Sequence, residues 1–281
     1  KIGAQFGVSS VEVVNALSSM AKTGIKTTDA LKMLPDILKF SKVSGGKFAD
    51  SLGLIEGTLK MFHLKLSDTK SIADVFTTAL KKSKQTSQDL AQAIKYSGPA
   101  ASIAGEKIEG LAASIAILAE RSVKGSSAGT GLSRVYKELT APTSKATATL
   151  KKFNIALKDN KGNFKPLLDI VKEFNIKMSG LSQTQKNAAL RTIFGEQALR
   201  AFGKLMTATT SEINDYQKAM ENSSGATDTF FGKLDKTAQA SLDKLNSAFT
   251  SFKQKLGEAL SPTIVKVTDK ITKLLEKFNE L

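Results

Sequence analysis

His63 is the only histidine in the sequence, and it stands between Phe62 and Leu64. One imidazole makes neither a metal site of the usual kind nor a convincing Ser/His/Asp set, so His63 reads as a surface or packing residue. There are no cysteines, which excludes disulfides, thiol catalysis and cysteine-bound zinc. Gly45-Gly46-Lys47 is not a phosphate-binding loop: Phe48 follows the lysine, and the glycine required five positions earlier is missing. Two readings stand for Gly125-Ser126-Ser127-Ala128-Gly129-Thr130-Gly131: backbone N–H groups offered to an anion at a helix start, or small residues that let helices approach closely. No strand precedes it. The carboxylates are too scattered to pick out a glycosidase pair. No catalytic, cofactor-binding or metal-ligating residue is therefore assigned, and the chain reads as a non-enzyme.

The elements around these residues are helical almost throughout. Ser9-x-x-Glu12, Thr86-x-x-Asp89 and Ser182-x-x-Gln185 have the form of capping boxes or their Asp variant. Thr23-Gly24, Ser97-Gly98-Pro99 and Ser179-Gly180 read as stops, Gly45-Gly46 as a connection, and Pro35 predicts a kink or break. Strands lack support. The one hairpin-like spot is Lys158–Phe164, a tight turn between two very short extended pieces. Helices are expected over 9–22, 28–41, 46–62, 69–84, 87–97, 107–121, 126–139, 143–153, 165–178, 183–207, 210–222, 228–260 and 262–281. Met20-Ala21-x-x-Gly24-Ile25-Lys26-x-x-x-Ala30 parallels Leu118-Ala119-x-x-Ser122-Val123-Lys124-x-x-x-Ala128. Duplication of a helical hairpin and a shared turn chemistry both account for that.

The formal charge is +15, and it is uneven. Ala141–Ser211 holds 12 Lys/Arg against 4 Asp/Glu, whereas Ala226–Leu281 holds 9 against 7. A basic surface suits nucleic acid or another acidic neighbour; a solvated Lys-rich face is the plainer reading, because aromatics do not interleave with the charge. The longest apolar run, around Leu111–Ala119, is about nine residues, under half of the ~20 that span a bilayer. No stretch reads as a secretion leader. Lys1 in place of Met reads as an excised or processed piece.

The last fifty residues carry a narrower pattern. Phe231, Leu234, Ala238, Leu242, Leu245, Phe249, Phe252, Leu256 and Ala259 recur at spacings of three and four, with one stutter at Ala238–Leu242. After Ser261-Pro262, a second seam runs through Ile264, Val267, Ile271, Leu274, Phe278 and Leu281. Such a stripe suits self-association in a coiled coil or a helix lying on a partner; an ordinary amphipathic helix packed on its own domain remains open. The whole predicts an all-α fold: packed helical hairpins followed by long amphipathic C-terminal helices with coiled-coil character. The expected divisions are 1–140, a helical core with the weak repeat; 141–225, a basic helical segment; and 226–281, the long amphipathic helices.

Small-residue turns recur along the chain in a definite order. Phe6-Gly7-Val8-Ser9, Ala21 and Gly24-Ile25 come first, then Ala93–Ala100 with the Ala-rich stretch through Ala119, Val123–Leu132, and Thr140-Ala141-Pro142-Thr143. Asn154-Ile155, Gly162-Asn163-Phe164, Pro166-Leu167-Leu168, Leu181-Ser182, Ile193–Ala198 and Leu256–Pro262 follow. In this order they resemble the core region of phage tail tape-measure proteins. Ser122 departs from the family, which often has glycine there. The resemblance implies a structural virion protein that sets tail length during assembly and leaves the tube ahead of the genome. It implies a place inside the tail tube, and in the host cytoplasm during assembly. Its implied partners are the tail tube protein, tail-tip or baseplate proteins, tail assembly chaperones and further copies of itself as a parallel trimer. Weak non-specific DNA contact and no small-molecule substrate or cofactor are expected. The alternatives are a basic helical nucleic-acid-binding module, and the non-catalytic part of a tape measure that carries a wall-degrading domain elsewhere.

Overall fold

The computed structural model describes residues 6, 8–236, 241–255 and 257–258. The protein is all-α among these residues. The helices are α1 (Ser10–Lys22), α2 (Thr27–Ser44), α3 (Phe48–Met61), α4 (Thr69–Lys82), α5 (Ser87–Ile103), α6 (Ile108–Glu120) and α7 (Gly125–Thr140). They continue as α8 (Ser144–Lys152), α9 (Leu167–Lys177), α10 (Gln183–Met206), α11 (Thr210–Glu221), α12 (Ala226–Asp235) and α13 (241–255). Contacts divide the chain into two units: residues 31–232, and the chain ends 1–30 with 233–281.

The larger unit is built around α6. Ile108 and every residue from Leu111 to Ala119 are buried, so α6 is apolar all round and needs neighbours all round. It touches α4, α5, α7, α9, α10 and α11. Its one polar interior group, the Ser114 hydroxyl, donates to the Gly110 carbonyl at 2.9 Å, as a buried hydroxyl must. The apolar run too short to cross a bilayer is thus the central rod of the larger unit's core. No helix among the described residues is long and apolar enough to cross a membrane.

The capping boxes at Ser9, Thr86 and Ser182 all form, each with the side chains bonded reciprocally. A fourth, Thr209 with Glu212, opens α11. Helix ends share one device. The amides of Ile25, Leu64, Glu106, Val123 and Ile155 each reach back five residues, to the carbonyls of Met20, Leu59, Ala101, Leu118 and Leu150, at 2.9–3.1 Å. The residue before each amide is left-handed: Gly24, His63, Gly105, Ser122 and Asn154 have φ of +84°, 53°, +75°, 61° and 52°. This is the Schellman geometry that satisfies terminal carbonyls. Its five occurrences make shared turn chemistry a sufficient account of the Met20/Leu118 repeat, with no duplication required.

Three local expectations differ from the structure. Ser97-Gly98-Pro99 does not stop a helix: α5 runs through Pro99 to Ile103. Gly98 faces α3, where an added Cβ would lie 2.9 Å from the Met61 sulfur, so the glycine serves close packing and burial offsets the proline's local cost. Pro35 likewise sits inside an unbroken α2. Conversely, 183–207 is not one regular helix. Gly195 has φ 61° and ψ 178°, which kinks α10 into two helical pieces. Beneath the kink, the Phe194 ring stacks on Phe202 at 4.0 Å, and Phe174 closes a buried aromatic trio. The expected tight turn at Lys158–Phe164 is present. The two residues form an antiparallel bridge, and the Asp159 carboxylate accepts the amides of Lys161 and Asn163 at 2.8 and 2.9 Å.

Candidate functional site

The residues that a catalytic reading would need are structural. His63 is exposed, and it occupies the left-handed position of a helix-end turn. Lys47 is simply the residue that precedes α3. Among the described residues, no group of three His, Asp or Glu side chains is placed to hold a metal ion. In Gly125–Gly131, close packing accounts for the glycines. A Cβ on Gly129 would meet the Ala93 carbonyl oxygen at 2.5 Å, and one on Gly131 would meet Ala201 Cβ at 2.6 Å. The Asp89 carboxylate stands against Gly125, 3.2 Å from where its Cβ would be.

Of the predicted seam, Phe231 and Leu234 lie on α12, and Leu242, Leu245, Phe249 and Phe252 lie on α13. The 3-4-3 spacing puts the latter four on one face of α13. Their exposures are 53, 65, 56 and 60 %. Leu256, Ile264, Val267, Ile271, Leu274 and Phe278 lie outside the described residues, as do Ala238 and Ser261-Pro262.

Within the larger unit, the start of α12 is clamped to the core. Asp74, 1 % exposed on α4, accepts the amides of Gly225 and Thr227 at 2.8 Å each. A buried carboxylate is thereby paired with the unsatisfied donors and positive pole of a helix N-terminus. Thr77 and Thr227 share a hydroxyl hydrogen bond of 3.0 Å. Asp228 then bridges Lys39 and Lys70, both at 2.6 Å. Hydrogen bonds from these two ammoniums hold its carboxyl below the ordinary range.

A second clustering was not foreseen. Between α7 and α10 lies a cleft of about 620 Å³, lined by Ser126, Ser127, Thr130 and Arg134 on one side and Gln197, Arg200 and Lys204 on the other. Gly131 against Ala201 forms its floor. That small-residue contact lets the two helices approach, so their cationic side chains face a common space. The sequence has four arginines. Arg121 pairs with Glu212 and Arg191 with Glu196; Arg134 and Arg200 open on the cleft without a carboxylate among the described residues. Arginine's rarity was the available signal, but the pairing of 126–134 with 197–204 follows only from helix packing.

The comparisons with known proteins fall in one area. The sequence model of a family described as "Phage-related minor tail protein" matches residues 1–195. A "Tape measure protein" of Pneumococcus phage Dp-1 is 28 % identical over 277 residues, covering 99 % of this chain and 24 % of the relative. A "Probable tape measure protein" of Escherichia phage P2 is 27 % identical over 282 residues, covering 99 % of this chain and 35 % of the relative. The chain thus spans about a quarter to a third of the relatives' length. No solved structure matches.

Proposed function

The chain belongs to the phage-related minor tail protein family, and from that premise we propose that it is the core segment of a tail tape-measure protein. The parent protein sets tail length during assembly and leaves the tube ahead of the genome. The observation that carries this reading is the end-to-end match, over 99 % of the chain, to two relatives from different phages that are both named as tape measures. The role is mechanical and asks for no catalytic group in this segment. It places the parent in the virion, inside the tail tube, and in the host cytoplasm before that. Its partners are the tail tube protein, tail-tip or baseplate proteins and assembly chaperones.

Self-association belongs to the same proposal. The apolar face of α13, together with the sequence seam of Leu256, Ile264, Val267, Ile271, Leu274 and Phe278, is the region through which parallel copies join, as a trimer in the full protein. Seam spacing and the exposure of Leu242, Leu245, Phe249 and Phe252 support this.

The test of the tail reading is length. An insertion of 56 helix-forming residues between Lys236 and Ser241 of the parent gene adds about 84 Å at ~1.5 Å per residue. Tails measured by electron microscopy should lengthen by about that amount. Infectious particles with tails of unchanged length would rule out a tape-measure role.

A further inference from the structure

We propose that the cleft between α7 and α10 binds the phosphodiester backbone of nucleic acid, without regard to base sequence. Every charged side chain in its lining is cationic. Arg134, Arg200 and Lys204 bring three positive charges, and Ser126, Ser127 and Thr130 bring hydroxyls. Guanidinium and ammonium groups beside hydroxyls are the usual partners of phosphate oxygens. None of the three cations has a carboxylate partner among the described residues, although two stand nearby in sequence: Glu138 follows Arg134 by one helical turn. Glu196 precedes Arg200 by one helical turn, the favourable spacing for an ion pair on a regular helix. Here Glu196 pairs instead with Arg191, on the other side of Gly195, at 3.0 Å, and Arg200 lines the cleft.

The cleft fits a phosphodiester better than an acidic protein segment. Protein partners anchor on buried aromatic or aliphatic side chains, and here the apolar lining is Val123 and Ala201. No aromatic side chain lines it, so base stacking is not available and sequence preference is not expected. The net charge of +15 supplies long-range attraction to a polyanion. Binding here is independent of whether the parent protein sets tail length, and a failure of either leaves the other standing.

The experiment is fluorescence anisotropy of a labelled 20-base-pair duplex with the 281-residue chain, titrated at several salt concentrations. Three phosphate contacts give a slope of log K against log salt of about −2.7. Arg134→Gln/Arg200→Gln/Lys204→Gln should weaken binding at least tenfold at low salt and flatten the slope by about 2.7. The control Lys145→Gln/Lys151→Gln/Lys152→Gln removes equal charge from exposed positions of α8 and should change binding less than threefold. Ser127→Asp, which places a carboxylate in the cleft while sparing every cation, should also cost about tenfold. Equal losses from the two triple variants would mean diffuse attraction and would overturn the site. If labelled polyglutamate binds as tightly as the duplex and responds to the same variants, the occupant is an acidic protein and the phosphodiester assignment fails.

Discussion

At the scale of single residues, backbone geometry explains more of this chain than side-chain chemistry does. Five helix ends close in the Schellman geometry on a left-handed residue, and Gly24 and Gly105 fill two of them at no steric cost. His63, Ser122 and Asn154 fill the others, so the backbone of the single histidine is set by a turn. Gly195 is a stricter case. Its φ of 61° with ψ of 178° is a region essentially reserved for glycine, and a Cβ there would meet no atom within 4 Å. Gly195→Ala therefore loses only backbone freedom, at a cost of about 1–3 kcal/mol. Thermal unfolding should move down by roughly 2–12 °C for a unit of this size. Gly203→Ala, in ordinary helix with equally open space, should instead stabilise by about 0.5–1 kcal/mol. A Gly195→Ala variant that melts at the wild-type temperature would show that α10 does not need its kink.

Among the helices, one buried carboxylate ties three together. Glu106, 7 % exposed in the turn before α6, accepts the Leu167 amide at the start of α9 at 2.7 Å and the Tyr136 hydroxyl of α7 at 3.2 Å. Burial raises its pKa above the ordinary 4.5, against the lowering effect of those two bonds, and the Asp169 charge adds to the rise. A carboxyl with a raised native pKa gives stability that is fully present below its unfolded pKa and lost as pH rises through the native one. Glu106→Gln accepts the same bonds and cannot ionise. Its melting temperature relative to wild type should therefore climb as pH is raised from 4 through the native pKa of Glu106 and level off above it. The carboxyls lowered by lysine contacts or backbone amides, such as Asp228 and Asp159, titrate in both proteins and cancel. A difference that falls with rising pH would mean that the carboxylate, not the acid, is the stabilising form.

For the molecule as a whole, the contrast lies between the larger unit and α13. Around α6 nearly every apolar side chain is covered, whereas α13 shows Leu242, Leu245, Phe249 and Phe252 more than half exposed. Four large apolar groups on one helix face favour association once copies are concentrated. Sedimentation of the chain extended by its parent's own sequence past Leu281 should give a trimer at high micromolar concentration, and Phe249→Lys should return it to monomer. Monomers from both proteins would assign the seam to the chain's own fold.

The periodicity, the capping boxes at Ser9, Thr86 and Ser182 and the turn at Lys158–Phe164 were legible because each is a local interaction, closed within a few residues. The small-residue turns were legible as a family pattern for the same reason: left-handed helix ends constrain side chains wherever they occur. What local signals misjudged was decided by packing. Pro99 and Pro35 stay inside helices because burial of those helices outweighs a local cost of ~3 kcal/mol each. Gly98, Gly129 and Gly131 are small because another helix lies against them, which no periodicity reports. The basic character of 141–211 was visible as a count. That Arg200 and Lys204 would meet Arg134, some seventy residues away, depended on α7 lying against α10. Charge adds along a sequence, but a site needs convergence, and convergence belongs to the tertiary structure.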